Sequence, residues 1–86
     1  MPDEPEINKE TQIEIGYLSA GYGWEILYYD RERDLFFVDE YHCGSVDIAA
    51  TYYDGRKEFS KEEIVQELIG RNKADILEKL RHEGLL

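Results

Sequence analysis

The side chains with nucleophilic or metal-binding chemistry are few. His42 and Cys43 are adjacent, Cys43 is the single cysteine, and His82 is the other histidine. A histidine beside a thiol is the raw material of a nucleophilic dyad. Such a dyad needs positive charge to favour the thiolate and a third group to orient the imidazole. Neighbours on a strand point to opposite faces, so His42 and Cys43 converge only within a turn. No orienting partner is identifiable by spacing, and the surrounding sequence is acidic. A metal site from His42, Cys43, Asp47 and His82 lacks any standard ligand spacing, so neither a metal nor a cofactor is expected. Gly21-Tyr22-Gly23 has two glycines of a phosphate loop but no third glycine, lysine or following helix, and it reads as a turn. Carboxylates are numerous enough for acid–base work. A chain of 86 residues that commits a helical layer to one sheet face nevertheless has too few left to wall a deep, dry pocket. No enzyme is expected.

Charge is more informative. Residues 1–55 hold thirteen acids and three bases, whereas residues 56–86 hold seven of each, so the whole net charge of −10 belongs to the first part. A field of that sign repels nucleic acid and anionic membrane, and it speeds encounter with basic partners. Direct nucleic-acid binding needs Lys and Arg to displace counterions, which argues against it here. The lone thiol fits a reducing compartment. The N-terminal MPDEPEINKE is acidic without an apolar run, so it does not read as a signal peptide. No apolar run is long enough to span a bilayer. The reading is a cytoplasmic protein.

Residues 1–10, polar, acidic and twice interrupted by proline, read as a flexible arm ahead of a single domain over 11–86. Gln12–Leu18 alternates with Ile13, Ile15 and Tyr17 on one side, the period of a half-buried strand. Trp24–Asp30 and Leu35–Tyr41 follow as a hairpin around Arg31-Glu32-Arg33-Asp34. A four-residue loop sets Glu25 opposite Glu40, an unfavourable like-charge pair. A three-residue loop avoids this and is preferred; it groups Ile26, Tyr28, Phe36 and Val38 on one face and Glu25, Leu27, Tyr29, Phe37, Asp39 and Tyr41 on the other. His42-Cys43-Gly44-Ser45 turns into a fourth strand, Val46–Tyr53, with Asp47 and Tyr53 on the same side. Asp54-Gly55 reads as a hairpin turn because both residues tolerate positive φ, which lets Arg56–Phe59 return as a short edge strand.

Ser60 and Glu63 have the capping-box spacing, with Phe59 and Ile64 placed as a hydrophobic staple. Ile64, Val65, Leu68 and Ile69 form one apolar stripe. Gly70 suits a left-handed helix end, and Asn72 suits the cap of a second helix that buries Ile76, Leu77 and Leu80. The broken helix is favoured over one running through Gly70, which would cost roughly 1 kcal/mol. The fold class is therefore α+β: a four-stranded, mainly antiparallel meander with two C-terminal helices packed on one face.

Two helices cover one face of a small sheet. The other is then expected to display Leu27, Tyr29, Phe37, Tyr41 and Tyr53 beside Glu25, Asp39 and Asp47. Aromatic centres with charged rims suit partner binding. The functional expectation is a protein-interaction module that occupies a basic surface of a partner, as an inhibitor, immunity-type or phage-type protein does, or as a nucleic-acid (DNA) mimic. The alternative is a homodimer using the same face as its seam.

Overall fold

Four strands and two helices follow one another in the computed structural model of the chain, which describes residues 5–20, 23–43 and 52–86. They are β1 (Gln12–Ala20), β2 (Gly23–Asp30), β3 (Leu35–His42), β4 (Tyr52–Phe59), α1 (Lys61–Gly70) and α2 (Ala74–His82). Strands pair in chain order and all pairs are antiparallel, so the α+β meander with a helical layer is the fold. Among the described residues no helix is long and apolar enough to cross a membrane.

The hairpin register is the four-residue one, and this corrects the preference for a three-residue loop. Asp30 stands opposite Leu35, Leu27 opposite Val38, and Glu25 directly opposite Glu40. Asp30 organises the loop: its side chain accepts from the Glu32 and Arg33 backbone N–H groups at 3.1 and 3.0 Å, the Gln12 amide at 3.2 Å and Arg33 Nε at 3.1 Å. Those bonds satisfy a nearly fully buried carboxylate, the condition for burying charge at all. Asp34 closes the loop at φ 54, a left-handed position that Asp tolerates.

The helices deliver Ile64, Leu68, Leu77 and Leu80 to one face, where they meet Ile15, Leu18, Leu27, Tyr29, Phe36 and Val38. The opposite face carries Ile26, Tyr28 and Phe37, with Ile7, Trp24, Leu35 and Tyr41 packed against them. β1 does not alternate simply. Register shifts between Glu14 and Gly16 and between Tyr17 and Ser19 let both Ile15 and Leu18 reach the helix-side core. Tyr17 is thereby aligned with Ile26 on the opposite face instead of sharing a side with Ile15.

Asp54-Gly55 is not a hairpin turn but a bulge inside β4. Glu40 pairs with Gly55 and Tyr41 with Tyr53, so Asp54 is the extra residue and Gly55 takes φ 144. The preference of both residues for unusual φ serves a bulge as well as a turn. Arg56–Phe59 therefore continues the strand that Tyr52 begins; residues 46–51 of the expected fourth strand lie outside the described residues.

The capping box is complete, with Glu63 N–H donating to Ser60 Oγ at 3.1 Å and Ser60 N–H to Glu63 Oε1 at 2.9 Å. The break between helices is present too, but one residue set plays a different part. Gly70 is still helical, and Asn72 takes the left-handed position at φ 59. Its N–H bonds Ile69 O while that of Lys73 bonds Leu68 O, a Schellman end. Asn72 thus closes α1, and Lys73 precedes α2 without a side-chain cap.

Candidate protein-binding surface

The one-residue difference in register splits the expected surface in two. Leu27 and Tyr29 lie in the helix-side core, and Glu25 belongs to the same face of β2. Phe37, Asp39, Tyr41 and Tyr53 come together on the other side, around Tyr28 and Trp24. Asp47 lies outside the described residues. Burial removes most of these groups from solvent as well: Leu27 and Phe37 are 0% exposed and Asp39 1%. The broad exposed aromatic face is therefore absent from this set of residues.

The face without helices carries a lid of its own side chains. Arg56 Nε donates to Asp39 Oδ1 at 2.6 Å and its Nη2 to Asp39 Oδ2 at 3.0 Å. The same guanidinium lies 4.0 Å over the Phe37 ring, a cation–π contact that covers the ring while neutralising the acid. Tyr53 donates to Asp39 at 3.3 Å, and burial, then the neighbouring Asp39 charge, pushes its phenol above the usual range. Tyr28 stacks on Phe37 at 5.0 Å and Trp24 on Tyr41 at 5.7 Å.

Charge is redistributed in the same way. The tail is neutral in sequence, yet four of its cations reach back to acids of the strand half: Arg56 to Asp39, Lys57 to Glu40, Lys61 to Asp34 and Arg71 to Glu25. The Arg71 hydrogen bonds hold the Glu25 carboxyl below its ordinary range despite partial burial. Burial alone would raise Asp30, but the Arg33 backbone N–H, the Gln12 amide and the Arg33 guanidinium outweigh it and leave that carboxyl lowered. Asp34 is lowered by hydrogen bonds from Tyr29 and Lys61. Glu6, Glu10 and Glu14, by contrast, form no ion pair among the described residues. They lie on the arm and on β1.

Exposed apolar groups lie there as well. Tyr17 is 54% exposed and Ile13 38%, both on β1, an edge strand of the sheet. Sequence alternation had assigned both to the strand's buried side; only the bulges, which leave no reliable sequence mark, move Tyr17 out. The free edge itself is protected against strand addition. Lys79 Nζ donates to Ile15 O at 3.0 Å, Asn8 O accepts from Gln12 N–H at 2.7 Å, and the bulges interrupt regular pairing.

The described part of the acidic arm, residues 5–10, turns back at Asn8. Asn8 O accepts from Thr11 and Gln12 N–H groups, and Asn8 N–H donates to Gln12 Oε1 at 3.0 Å. Ahead of that turn, Ile7 packs against the cluster around Tyr28 and Phe37. Ordering a residue costs about 1–2 kcal/mol, less where Pro5 already fixes φ. Burying an Ile contributes about 1.5–3 kcal/mol when complete, and Ile7 stays partly exposed. Docking of residues 5–7 is therefore close to balance. Beside it an open cleft of ≈ 470 Å³ is lined by Ile7, Lys9, Gln12, Ile13, Glu14 and Tyr28.

At the far end of the sheet His42 Nδ1 lies 3.0 Å from Asp54 Oδ2. The bulge thus supplies the imidazole with a carboxylate partner that spacing did not reveal. Both side chains are substantially exposed, so the pair ties the ends of β3 and β4 together at the surface. Among the described residues no group of three or more His, Cys, Asp or Glu is placed to hold a metal ion.

Comparison with protein-family models, curated proteins and solved structures found no match to the chain.

Proposed function

We propose that the chain is a small acidic protein-binding module that occupies a basic surface of a partner protein, as an inhibitor or immunity-type protein does. The observation that supports this is the difference between two sets of acids. Four acids of β2, β3 and their hairpin are matched by cations from residues 56–86, while Glu6, Glu10 and Glu14, on the arm and β1, form no ion pair among the described residues, and β1 also carries exposed Ile13 and Tyr17. Unmatched charge next to apolar contact area gives steering and a slow release step together.

The test is capture from a lysate of the expressing cells on immobilised wild-type chain and on a variant with Glu6→Gln, Glu10→Gln and Glu14→Gln. A basic protein held by the first and lost from the second supports the reading. Its association rate should fall with added salt while its dissociation rate stays nearly constant. A salt-independent association rate, or identical capture by the two chains, would sink it. Competition by duplex nucleic acid for the captured protein narrows the reading to mimicry. A tight dimer in sedimentation at micromolar concentration points instead to the self-associating alternative.

A further inference from the structure

We propose that the outer edge of β4, over residues 56–59, takes an extended strand of a partner protein, with an apolar side chain and a lysine or arginine of that strand seated in the groove between Phe59 and α1. The site lies across the sheet from β1 and shares with the protein-binding reading above only the sign of the partner's charge.

A strand at the end of a sheet presents unpaired backbone N–H and C=O groups. β1 and β4 are the two end strands, and they differ. On β1 the Ile15 carbonyl accepts from Lys79, and register shifts break the pairing. On β4 the bulge at Asp54 leaves an unbroken run from Arg56 to Phe59, paired one for one with Asp39 back to Phe36. Among the described residues no backbone hydrogen bond reaches the outer side of that run.

Beside the run, an open groove of ≈ 430 Å³ is lined by Phe59, Glu62, Glu63, Gln66 and Glu67. α1 packs over β3 and β4, and no residue of β1, β2, β3 or α2 lines the groove, so it opens past the β4 edge. Side chains of a strand alternate between faces, and every second residue of an added strand therefore points into it. Half-buried Phe59 supplies the apolar contact. The charge comes from three carboxylates with no cation in the lining. Glu67 shares Arg71 with Glu25, and the start of α1 offsets about half a charge at Glu62 and Glu63, which leaves the rim negative. Lys57 and Lys61, on either side of Phe59 in the chain, are held by Glu40 and Asp34. A second copy of this chain, paired antiparallel at this edge, would set two such acidic flanks against each other. A strand bearing lysine or arginine meets no such repulsion.

The test titrates the full-length ¹⁵N-labelled chain with acetylated, amidated Thr-Lys-Thr-Leu-Thr-Lys-Thr, whose lysines and leucine share one face. One control has glutamate for lysine. Two others carry N-methyl groups on the threonine nitrogens or on the Lys-Leu-Lys nitrogens, which lie on opposite edges of the peptide strand. Expected are amide shifts at residues 56–59 and 62–67. Exchange of the 56–59 amides that face away from β3 should slow about tenfold at ten times the dissociation constant. The glutamate peptide should not bind, and one methylated set should abolish binding while the other leaves it. Glu62→Gln, an exposed change, should weaken binding about 1.5- to 5-fold. Binding without exchange protection, equal binding by the two methylated peptides, or an indifferent Glu62→Gln overturns the site, as does no binding at millimolar peptide. Protection of residues 56–59 that rises with protein concentration alone assigns the edge to a second copy and overturns the basic strand. The basic-partner reading is decided separately, by capture on the Glu6, Glu10 and Glu14 variant, so either can fail without the other.

Discussion

Glu25 and Glu40 face each other across the β2–β3 ladder, and the repulsion between them is relieved from outside the hairpin. Arg71, at the end of α1, takes Glu25, and Lys57, on β4, takes Glu40 at 3.1 Å. Each carboxylate thus has a cation, and because Arg71 also holds Glu67 at 3.3 Å the pair becomes part of a five-charge set.

Arg71→Met leaves Glu25 partly buried and facing Glu40. The site is neither fully exposed, where pairs contribute about 0.2–1 kcal/mol, nor fully buried, where breaking one costs about 3–5 kcal/mol. A loss of about 1–2 kcal/mol in urea denaturation is expected. Adding Glu25→Gln should recover most of it. A double variant as unstable as Arg71→Met alone would show that the guanidinium acts by packing and not through Glu25.

Asp39 and Arg56 form the more buried pair. Arg56→Leu strands a carboxylate that is 1% exposed, and a destabilisation of about 3–5 kcal/mol is expected. Arg56→Lys loses the two-pronged bond and the stacking on Phe37, so it should restore only part. Combining Arg56→Leu with Asp39→Leu removes both charges and should be markedly more stable than Arg56→Leu. The check is the midpoint of chemical unfolding for the three variants.

Acid should weaken the fold through the lowered carboxyls. Glu25 and Asp30 titrate below their ordinary values of 4.5 and 3.8, so the unfolded chain takes up protons first as pH falls. Their contribution is complete above about pH 4.5, the ordinary Glu value, and is lost as pH falls through the depressed folded-state values. Urea midpoints at pH 7 and 5 should nearly agree for these groups, with a steep fall below 4. Glu25→Gln should flatten that fall.

Two glycines should respond in opposite directions. Gly55 at φ 144 holds the β4 bulge, and Gly55→Ala forces a side chain into a region that L residues rarely adopt, costing about 1–3 kcal/mol. Gly70 is helical with open space where a Cβ would stand, so Gly70→Ala should stabilise by about 1 kcal/mol. Thermal unfolding of the two variants decides both signs.

The parts of this fold legible in sequence are those whose causes lie within a few residues. Ser60, Glu63 and the Phe59–Ile64 placement declare the start of α1 by themselves, and the short aromatic-rich runs of β2 and β3 around a polar four-residue connection declare a hairpin. The hairpin register was misjudged because the reason to tolerate Glu25 opposite Glu40 sits on Lys57 and Arg71, far along the chain. The candidate surface failed for a related reason. Shifting one strand by one residue exchanges its faces, which moved Leu27 and Tyr29 under the helices and left Phe37 with Tyr28. Bulges at Ile15, Leu18 and Asp54 have no local signature distinct from strand or turn, so exposed Tyr17 and the His42–Asp54 pair were not foreseeable from spacing.

Arg56, Lys57, Lys61 and Arg71, the cations that quiet the acids of β2, β3 and their hairpin, all come after those strands in the sequence, on β4 and beyond. During synthesis, the first three strands leave the ribosome as an acidic segment before these cations have been made. Self-repulsion should then oppose pairing of those strands until the last third of the chain emerges, and a fragment ending before Arg56 should stay unstructured at low ionic strength and gain order as salt is raised.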